Sequence, residues 1–282
     1  MDAGRVEVLV LGIAQDAGVP QLGCSCARCQ AAHRDPGKRR LAAALAVVDH
    51  TVERFWLIEA TPNIVEQVGY VQAMAPEAAL FGVMITHAHM GHVLGLAHFG
   101  REAAATGRLP VYVTHEMDGW LRSHAPWSQL VELHNIEPMV VDPTVAIRLS
   151  EELRVEAIPV PHRAEATDTV AWSLIGSARS LFFCPDIDFW DDETVRAVSA
   201  HDIALVDGTF FSEGELPSRG DRSLIPHPTI IDTMGTMDDL QTDVRFIHLN
   251  HTNPLHDKGP ERAMVRERGF GIAARGDRIS LA

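Results

Sequence analysis

The stretch from Phe81 to His92 reads FGVMITHAHMGH and places three histidines directly after an apolar run. The run from Phe81 to Ile85 predicts a buried β-strand. Because alternate residues of an extended segment face the same way, His87 and His89 can converge on one metal ion. His92 follows where the strand turns into a helix, and it can reach a second ion close by. Imidazole suits Zn²⁺, Fe or Mn²⁺ sites, and the spacing leaves this choice open, as it leaves open a merely histidine-rich surface loop.

The composition is that of an acidic globular chain. The 282 residues include 24 Lys+Arg and 38 Asp+Glu, which gives a formal net charge of −14 with histidine neutral. Hydrophobic residues make up 46% and charged residues 22%, values that exclude a disordered or low-complexity protein. The acidic balance argues against nucleic acid or an anionic membrane as a partner and favours a small-molecule substrate.

No apolar stretch approaches the roughly 20 residues that span a bilayer, and the N-terminal residues lack the pattern of a signal peptide. We therefore expect a cytoplasmic protein, and we expect residues 1–282 to form one domain with an α/β layered architecture.

Apolar β-rich runs alternate with segments of helical periodicity along the chain. Strands are predicted at Val6 to Gly12, Ala44 to Val48, Phe55 to Ile58, Phe81 to Ile85, Val111 to Thr114, Leu153 to Val160, Val170 to Ile175, Ser180 to Phe183, Ile203 to Val206 and Val244 to Leu249. Helices are predicted at Pro62 to Met74 with Thr61 as the cap, and at Val93 to Thr106, Asp191 to Ser199, Thr229 to Leu240 and Pro260 to Arg268.

The histidine stretch resembles the HxHxDH signature of the metallo-β-lactamase superfamily, whose fold is an αββα sandwich of two mixed sheets with metals at one edge. Three later stretches match that family's motifs in order: PVPH at 159–162, LFFCPD at 181–186 and FIH at 246–248. The resemblance implies that the first metal is held by His87, His89 and His162. It implies that Asp186 bridges to a second metal, to which His92 and His248 belong.

One position departs from the signature. The family has Asp where this chain has Gly91, and that carboxylate normally ligates the second metal. We therefore expect the second site to be weak or the centre to be mononuclear, which makes iron more plausible beside Zn²⁺ and Mn²⁺.

A second cluster is formed by Cys24, Cys26 and Cys29 within residues 24–29. Clustered thiols in a cytosolic chain suggest a metal, and a tetrahedral structural zinc needs a fourth ligand that spacing alone cannot identify. Three reduced cysteines in a loop are the alternative. A C-x-C-x-x-C loop after the first strand resembles two branches of the superfamily, the pyrroloquinoline-quinone biosynthesis protein B and the carbon-phosphorus-lyase accessory phosphodiesterase. That resemblance implies that His251 closes the zinc site.

The two branches point to different chemistry. The residues 18–21, 205–210 and 246–255 look like the quinone-biosynthesis branch, whereas the retained active-centre ligands look like the phosphodiesterase. The resemblance favours a metal-dependent hydrolase of a small phosphodiester or related ester that uses a metal-bound hydroxide. An iron and O₂-dependent oxidative enzyme and a non-catalytic accessory protein are the alternatives.

Two residues are candidates for the catalytic roles. Asp186 would orient the nucleophile, and His227, which aligns in order with a histidine of the phosphodiesterase branch, would protonate the leaving group. A loop histidine held between two prolines is the alternative for His227. Supporting roles near the metals are weighed against ordinary surface or capping roles for the residues Glu59, Arg163, Asp188, Asp207, His98 and His115.

Substrate specificity is expected in two loops, Glu116 to Pro138 and Phe211 to Pro228. Trp120 and Trp127 in the first loop would line a pocket or a homodimer interface, or would simply cover the core.

Overall fold

The computed structural model describes residues 5–215 and 225–282. Two β-sheets of seven strands each form the centre of this part of the chain. In chain order the strands are β1 (Val6–Gly12), β2 (Ala44–Asp49), β3 (Arg54–Ile58), β4 (Ala79–Met84), β5 (Leu109–Val113), β6 (Ile136–Val140), β7 (Ile147–Arg148), β8 (Arg154–Pro159), β9 (Val170–Ile175), β10 (Ser180–Cys184), β11 (Ile203–Asp207), β12 (Asp243–Ile247), β13 (Gly271–Ile272) and β14 (Arg278–Ser280).

Helices flank the sheets. They are α1 (Ala27–Arg34), α2 (Ile64–Met74), α3 (Met90–Val93), α4 (His115–Ser123), α5 (Trp127–Glu132), α6 (Asp192–Ser199), α7 (Ile230–Met237) and α8 (Pro260–Glu267). Short 3₁₀ turns lie at Pro36–Lys38, Leu94–Phe99, Glu213–Glu215 and Pro254–His256.

Each sheet mixes parallel and antiparallel pairs, as predicted. The first sheet has the order β14-β1-β2-β3-β4-β5-β6, and the second has the order β13-β12-β11-β10-β9-β8-β7. The strands β3 to β6 run parallel, and β1 points the same way because two antiparallel pairings connect it to β3. In the second sheet β10 to β13 run parallel, and β8 has the direction of β10.

The carboxyl ends of the parallel strands meet at one edge where the two sheets are joined. The Gln15 N–H donates to the Leu249 carbonyl at 2.9 Å, and the Leu249 N–H donates to the Ile13 carbonyl at 2.8 Å. The segments after β1 and β12 therefore lie side by side. A further bond joins the sheets where the Val170 N–H donates to the Thr86 carbonyl at 3.1 Å.

Two apolar layers hold the sheets and helices together. Between the sheets, Trp56 of the first sheet and Trp172 of the second belong to one buried cluster. On the outer face of the first sheet, Leu57 packs in a second cluster with residues of α2, α4 and α5 such as Val71 and Leu121. Burial of this apolar surface is the main stabilising contribution to the fold and fixes the sheet edge that carries the polar residues.

The predicted helix from Val93 to Thr106 is wrong. The segment contains the end of α3 and a 3₁₀ turn, followed by irregular turns. The Ala60 N–H donates to the His92 carbonyl at 2.9 Å, and the Gly95 N–H donates to the Ala60 carbonyl at 2.8 Å. These tertiary bonds use backbone groups that a continuous α-helix would need.

The predicted loop from Glu116 to Pro138 is also largely regular. It contains most of α4, all of α5 and the start of β6. The Thr114 hydroxyl caps α4 by accepting the Met117 N–H at 3.2 Å, and Leu121 is buried four residues after Met117. Trp127 is buried and its ring lies 4.6 Å from that of Trp120, so this pair covers the core.

Thr61 does not cap α2, since the N-cap residue is Asn63. The Thr61 hydroxyl instead donates to Gln67 Oε1 at 2.7 Å. The second predicted specificity loop, Phe211 to Pro228, lies partly outside the described residues, because residues 216–224 are not among them.

Candidate metal centre

Three histidines form the first group at the joined edge of the sheets. His87 and His89 follow β4, and His162 follows β8, as the sequence predicted. Each offers a ring nitrogen within 4.8 Å of those of the other two. His162 Nε2 lies 3.4 Å from His89 Nδ1, so these two atoms face each other.

The outer nitrogen of each histidine in this group has a partner that orients the ring. His87 Nδ1 lies 2.8 Å from the Thr86 hydroxyl, which itself donates to Glu59 Oε1 at 2.6 Å. His162 Nδ1 lies 2.8 Å from Asp188 Oδ1, and His89 Nε2 lies 2.9 Å from Glu165 Oε2. With protons placed on these outer nitrogens, the lone pairs of the inner nitrogens point towards the centre of the group.

His92, His248 and Asp16 form a second group beside the first. His92 Nδ1 lies 3.1 Å from Glu59 Oε1, so Glu59 supports both groups. His248 Nδ1 lies 3.1 Å from the Thr209 hydroxyl. Asp16 Oδ1 lies 3.6 Å from His92 Nε2, a contact that sequence reasoning missed.

Asp186, at the end of β10, lies between the two groups. Its Oδ2 atom is 2.9 Å from His92 Nε2 and 3.6 Å from His87 Nε2. Its Oδ1 atom is 3.4 Å from His248 Nδ1. One buried carboxylate thus contacts histidines of both groups.

Burial and neighbouring charges move the pKa values of these residues in different directions. Burial lowers the pKa of His87 well below its usual range, and nearby His92 lowers it further. Burial also opposes the charged form of His92, but the carboxylates of Glu59, Asp16 and Asp186 outweigh it and raise this pKa well above the usual range. For Asp186, burial favours the neutral acid, yet the surrounding histidines outweigh it and hold its pKa well below the usual range.

The buried nitrogens test whether these residues fit a metal. Among the described residues, His87 Nε2 and His248 Nε2 are buried and make no hydrogen bond. A buried polar atom without a partner costs about 1–3 kcal/mol, a penalty that a cation at the lone pair would remove. Five histidines together with Asp16 and Asp186 form a donor set that suits Zn²⁺ or iron. The residues therefore fit divalent ions.

The cysteine cluster forms a separate site with four donors. Cys24, Cys26, Cys29 and His251 place their ligating atoms within 4.8 Å of one another. His251 Nδ1 is 3.6 Å from Cys24 Sγ and 3.7 Å from Cys29 Sγ. Tetrahedral zinc, with Zn–S of about 2.3 Å and Zn–N of about 2.0 Å, requires an S-to-N distance of about 3.5 Å. The geometry therefore fits a structural zinc with all four positions filled by protein.

Backbone groups support the sulfur atoms. Cys26 Sγ caps α1 by accepting the Cys29 N–H at 3.4 Å, and the Gln21 N–H donates to Cys29 Sγ at 3.3 Å. The strand-end segment that carries His251 is held by His256, whose Nε2–H donates to the carbonyls of Leu249 and Asn250 at 3.2 and 3.1 Å. Burial, with the nearby charge of Arg28, lowers the pKa of His256 to about 4, so this residue is neutral at pH 7.

His227 is buried beside the histidine groups, and its ring lies 5.7 Å from that of His162. Its Nδ1 atom is 2.6 Å from Asp207 Oδ2. Burial lowers the pKa of His227, but the Asp207 carboxylate outweighs this and raises it above the usual value. Asp207 is itself fixed by N–H donors from Ile187 and Thr209, at 3.1 and 2.8 Å. The sequence analysis considered a supporting role for Asp207, and in the structure its partner is His227.

The remaining candidates divide into two kinds. Glu59 and Asp188 contact the histidine groups as described above. His98 and His115 are exposed, and neither belongs to a group of potential ligands among the described residues. Cys184 is buried in the core between the sheets.

Comparison with known proteins identifies the family of the chain. Residues 54–257 match the model described as the beta-lactamase superfamily domain. "Coenzyme PQQ synthesis protein B" of Cupriavidus necator is 26% identical, over 97% of this chain and 99% of the relative. The protein of the same name from Rhizobium meliloti is 25% identical, over 98% of each chain.

Two solved structures share the fold. Zn²⁺-bound PqqB from Methylobacterium extorquens superposes with a TM-score of 0.84 at 21% identity, covering 98% of this chain and 100% of that one. A diphosphatase from the PhnP family superposes with a TM-score of 0.69 at 22% identity, covering 97% and 96%. Within the part of the chain that the structure describes, no helix is both long enough and apolar enough to span a membrane.

Proposed function

The chain belongs to the beta-lactamase superfamily, and from this premise we propose that it is a metal-dependent hydrolase of a small phosphodiester or related ester. The observation that carries the proposal is the position of Asp186 between the two histidine groups. A carboxylate shared in this way supports two cation sites side by side, an arrangement that suits displacement at a phosphoryl or acyl centre.

Each residue group has a role in this proposal. His87, His89 and His162 would hold the first ion, and His92 and His248 would belong to the second, with Asp186 shared. A bound divalent ion, whether Zn²⁺, Mn²⁺ or Fe²⁺, supplies Lewis acidity that activates water at neutral pH and polarises the scissile oxygen of the substrate. The structural zinc would be held by Cys24, Cys26, Cys29 and His251.

Asp186 positions the attacking water in this mechanism. The three histidines around it favour its ionised form, which accepts a hydrogen bond but cannot donate one. A water held by this carboxylate presents a lone pair to the substrate. Burial of the carboxylate limits its motion, so the water is held in one place.

His227 protonates the leaving group. Asp207 occupies Nδ1 of the ring, so the proton given to the leaving oxygen comes from Nε2. The N–H donors of Ile187 and Thr209 fix Asp207, which in turn fixes the plane and tautomer of the imidazole. This pair lies on the same side of the centre as His162, whose ring neighbours that of His227.

The test is hydrolysis by purified protein loaded separately with Zn²⁺, Mn²⁺ or Fe²⁺. The substrate panel contains phosphodiesters, lactones, thioesters and β-lactams. We expect turnover of a phosphodiester or related ester, lost in Asp186→Asn and in His89→Ala. His98→Ala, at an exposed histidine outside both groups, is the matched control. If fully loaded protein hydrolyses no member of the panel, the proposal is wrong.

A second function is favoured by the relatives that match almost the whole chain, which are named for coenzyme PQQ synthesis. In this alternative the centre holds iron and acts with O₂ on a precursor of a quinone cofactor. Iron that co-purifies with the wild type and is lost in His89→Ala, together with oxygen uptake in place of hydrolysis, would favour it. Protein expressed with ample iron that contains none would exclude it.

A further inference from the structure

Gly91 lies against Asp16. A Cβ atom built on Gly91 would stand 2.2 Å from Asp16 Oδ1 and 2.5 Å from Asp16 Cα. Real Cβ atoms do not approach other heavy atoms this closely, and one of the two contacts is to the backbone. Position 91 therefore accepts only glycine as long as Asp16 keeps its place.

The Asp16 carboxylate points into the second histidine group. It shares that group with His92 and His248, and the ligating atoms of all three lie within 4.8 Å of one another. The buried Nε2 atom of His248 makes no hydrogen bond among the described residues. The Asp16 side chain is 46% exposed, so it forms the open rim of this group.

The loop after β1 holds Asp16 in this position. Its φ angle is +33°, in the left-handed region that non-glycine residues seldom adopt. On one side, the Gln15 N–H is bonded to the Leu249 carbonyl at 2.9 Å, and on the other the Gly18 N–H donates to the Gln15 carbonyl at 2.8 Å. The surrounding backbone thus maintains a conformation that aims the carboxylate at His92.

We propose that Asp16 is the carboxylate ligand of a second divalent-cation site, taking the role that the signature aspartate would have at position 91. The Asp16 carboxylate comes from a different loop, and it can enter the group because Gly91 has no side chain there. The second site then has His92, His248 and Asp16 as its own ligands and Asp186 as the shared one. The inference rests on the proposed function only for the presence of divalent ions and not for the reaction.

The experiment exchanges the two positions and measures metal content. Wild type, Asp16→Asn, Gly91→Asp and the double variant Asp16→Gly/Gly91→Asp are saturated with Zn²⁺ and analysed by elemental mass spectrometry and calorimetric titration. We expect Asp16→Asn to bind one equivalent fewer than wild type, or to bind the last equivalent at least about 100-fold more weakly. Asp142→Asn, at an exposed aspartate outside the centre, should bind as wild type does.

The double variant separates a ligand role from a structural one. Gly91→Asp alone should lower the thermal unfolding midpoint, because the new side chain meets Asp16. Asp16→Gly removes the contact with Oδ1, and the conformational freedom of glycine lets the loop move away from the remaining 2.5 Å contact at Cα of position 16. The double variant then carries a carboxylate at the signature position and should regain the lost equivalent. Full binding of the last equivalent by Asp16→Asn would overturn the inference, as would a double variant that folds but binds no better than Asp16→Asn.

These readouts are independent of the reaction. Protein that loses the equivalent with Asp16→Asn and regains it in the double variant supports the inference even if no ester in the panel is hydrolysed. In that case the hydrolase proposal alone fails.

Discussion

The cysteine site and the histidine centre lie at the same end of the sandwich but differ in what surrounds their donors. In the cysteine site, three sulfurs and His251 supply the four positions that tetrahedral zinc needs. In the histidine centre, imidazoles alternate with carboxylates, and the buried Nε2 atoms of His87 and His248 make no hydrogen bond among the described residues. A shell filled by thiolates and one histidine favours a structural role, whereas a shell of imidazoles and carboxylates favours a catalytic one.

The two sites also differ in their supports. Backbone N–H groups of Gln21 and Cys29 donate to the sulfurs. Side chains support the histidines instead, among them Thr86, Asp188 and Thr209. Single substitutions can therefore remove the supports of the histidine centre, whereas the backbone N–H groups that support the sulfurs are not removed by changing a side chain.

The largest effect is expected when a sulfur ligand is removed. Cys26→Ser should lose the structural zinc and lower the thermal unfolding midpoint by at least about 8 °C, because binding of structural zinc contributes directly to folding stability. His89→Ala should lose metal from the histidine centre with a much smaller change in midpoint. Elemental analysis and differential scanning calorimetry measure both quantities.

Cys184→Ala is the control for the loss of a thiol as such, since Cys184 is buried in the core and its Sγ–H donates to the Asp186 carbonyl at 3.7 Å, outside the cysteine site. It should keep the zinc of the cysteine site. If Cys26→Ser and His89→Ala lowered the thermal unfolding midpoint equally, the distinction between a structural and a catalytic site would be wrong.

The next effect concerns His227. If it protonates the leaving group, His227→Gln should lower kcat by about 10²- to 10⁴-fold on esters with poor leaving groups. The loss should be much smaller with p-nitrophenolate, which leaves without a proton. Asp207→Asn should lower kcat with the same dependence on the leaving group but by a smaller factor, since Asp207 only orients the His227 ring. A loss that is equal for both kinds of ester would contradict the acid role.

The free energy of unfolding should depend on pH through His256, which holds the segment that carries His251. The pKa of His256 is about 4 in the folded protein, where burial and the charges of Arg28 and Arg40 oppose protonation, against about 6.5 when unfolded. Between these values the unfolded chain binds more protons at His256 than the folded chain does. The contribution of His256 to stability is therefore fully present above pH 6.5 and is lost as the pH drops towards 4.

Urea unfolding of zinc-loaded protein at pH 7 and pH 5 measures this effect. Between pH 7 and pH 5 the free energy of unfolding of wild type should fall by about 2 kcal/mol more than that of His256→Gln. Glutamine can donate a hydrogen bond to the Leu249 or Asn250 carbonyl, but it does not titrate. His98→Gln, an exposed histidine, should behave as wild type. An identical pH dependence for wild type and His256→Gln would show that this histidine does not titrate as the structure requires.

The smallest effect is expected from a support of the histidine centre. Asp188→Asn weakens the hydrogen bond that orients His162, and we expect metal affinity to fall by about tenfold. Competition with a chromophoric chelator measures the affinity. The cysteine site should keep its zinc in this variant, and loss of zinc from both sites would mean that the two are not independent.

The sheets could be predicted because their longer strands are continuous apolar runs bounded by turn residues. Strands β7, β13 and β14 were missed, since two or three residues are too few to show a periodicity, and β6 was missed because its first residues stand in the segment interpreted as a loop. The helix α4 was missed although Thr114 is a good cap and Met117 and Leu121 have helical spacing. The predicted helix from Val93 was wrong because backbone bonds to Ala60 decide its shape, and no local pattern reveals them.

The residues of the histidine centre that stand in motifs were predicted from them, and Asp16 was missed because it stands in none. Its role depends on the contact with Gly91, which lies in a different loop on the other side of two strands. A single sequence gives no measure of that distance. Asp186, by contrast, follows an apolar strand in a recognisable stretch, and it lies between the histidine groups.

The bonds between the segments after β1 and β12 have a consequence for biosynthesis. Cys24 and His251 are 227 positions apart, and Asp16 and His248 are slightly farther apart still. While the chain is being translated, the three thiols are therefore exposed without their fourth ligand until the ribosome has released the segment that contains His251. Throughout that interval they are open to oxidation and to capture of other soft metals.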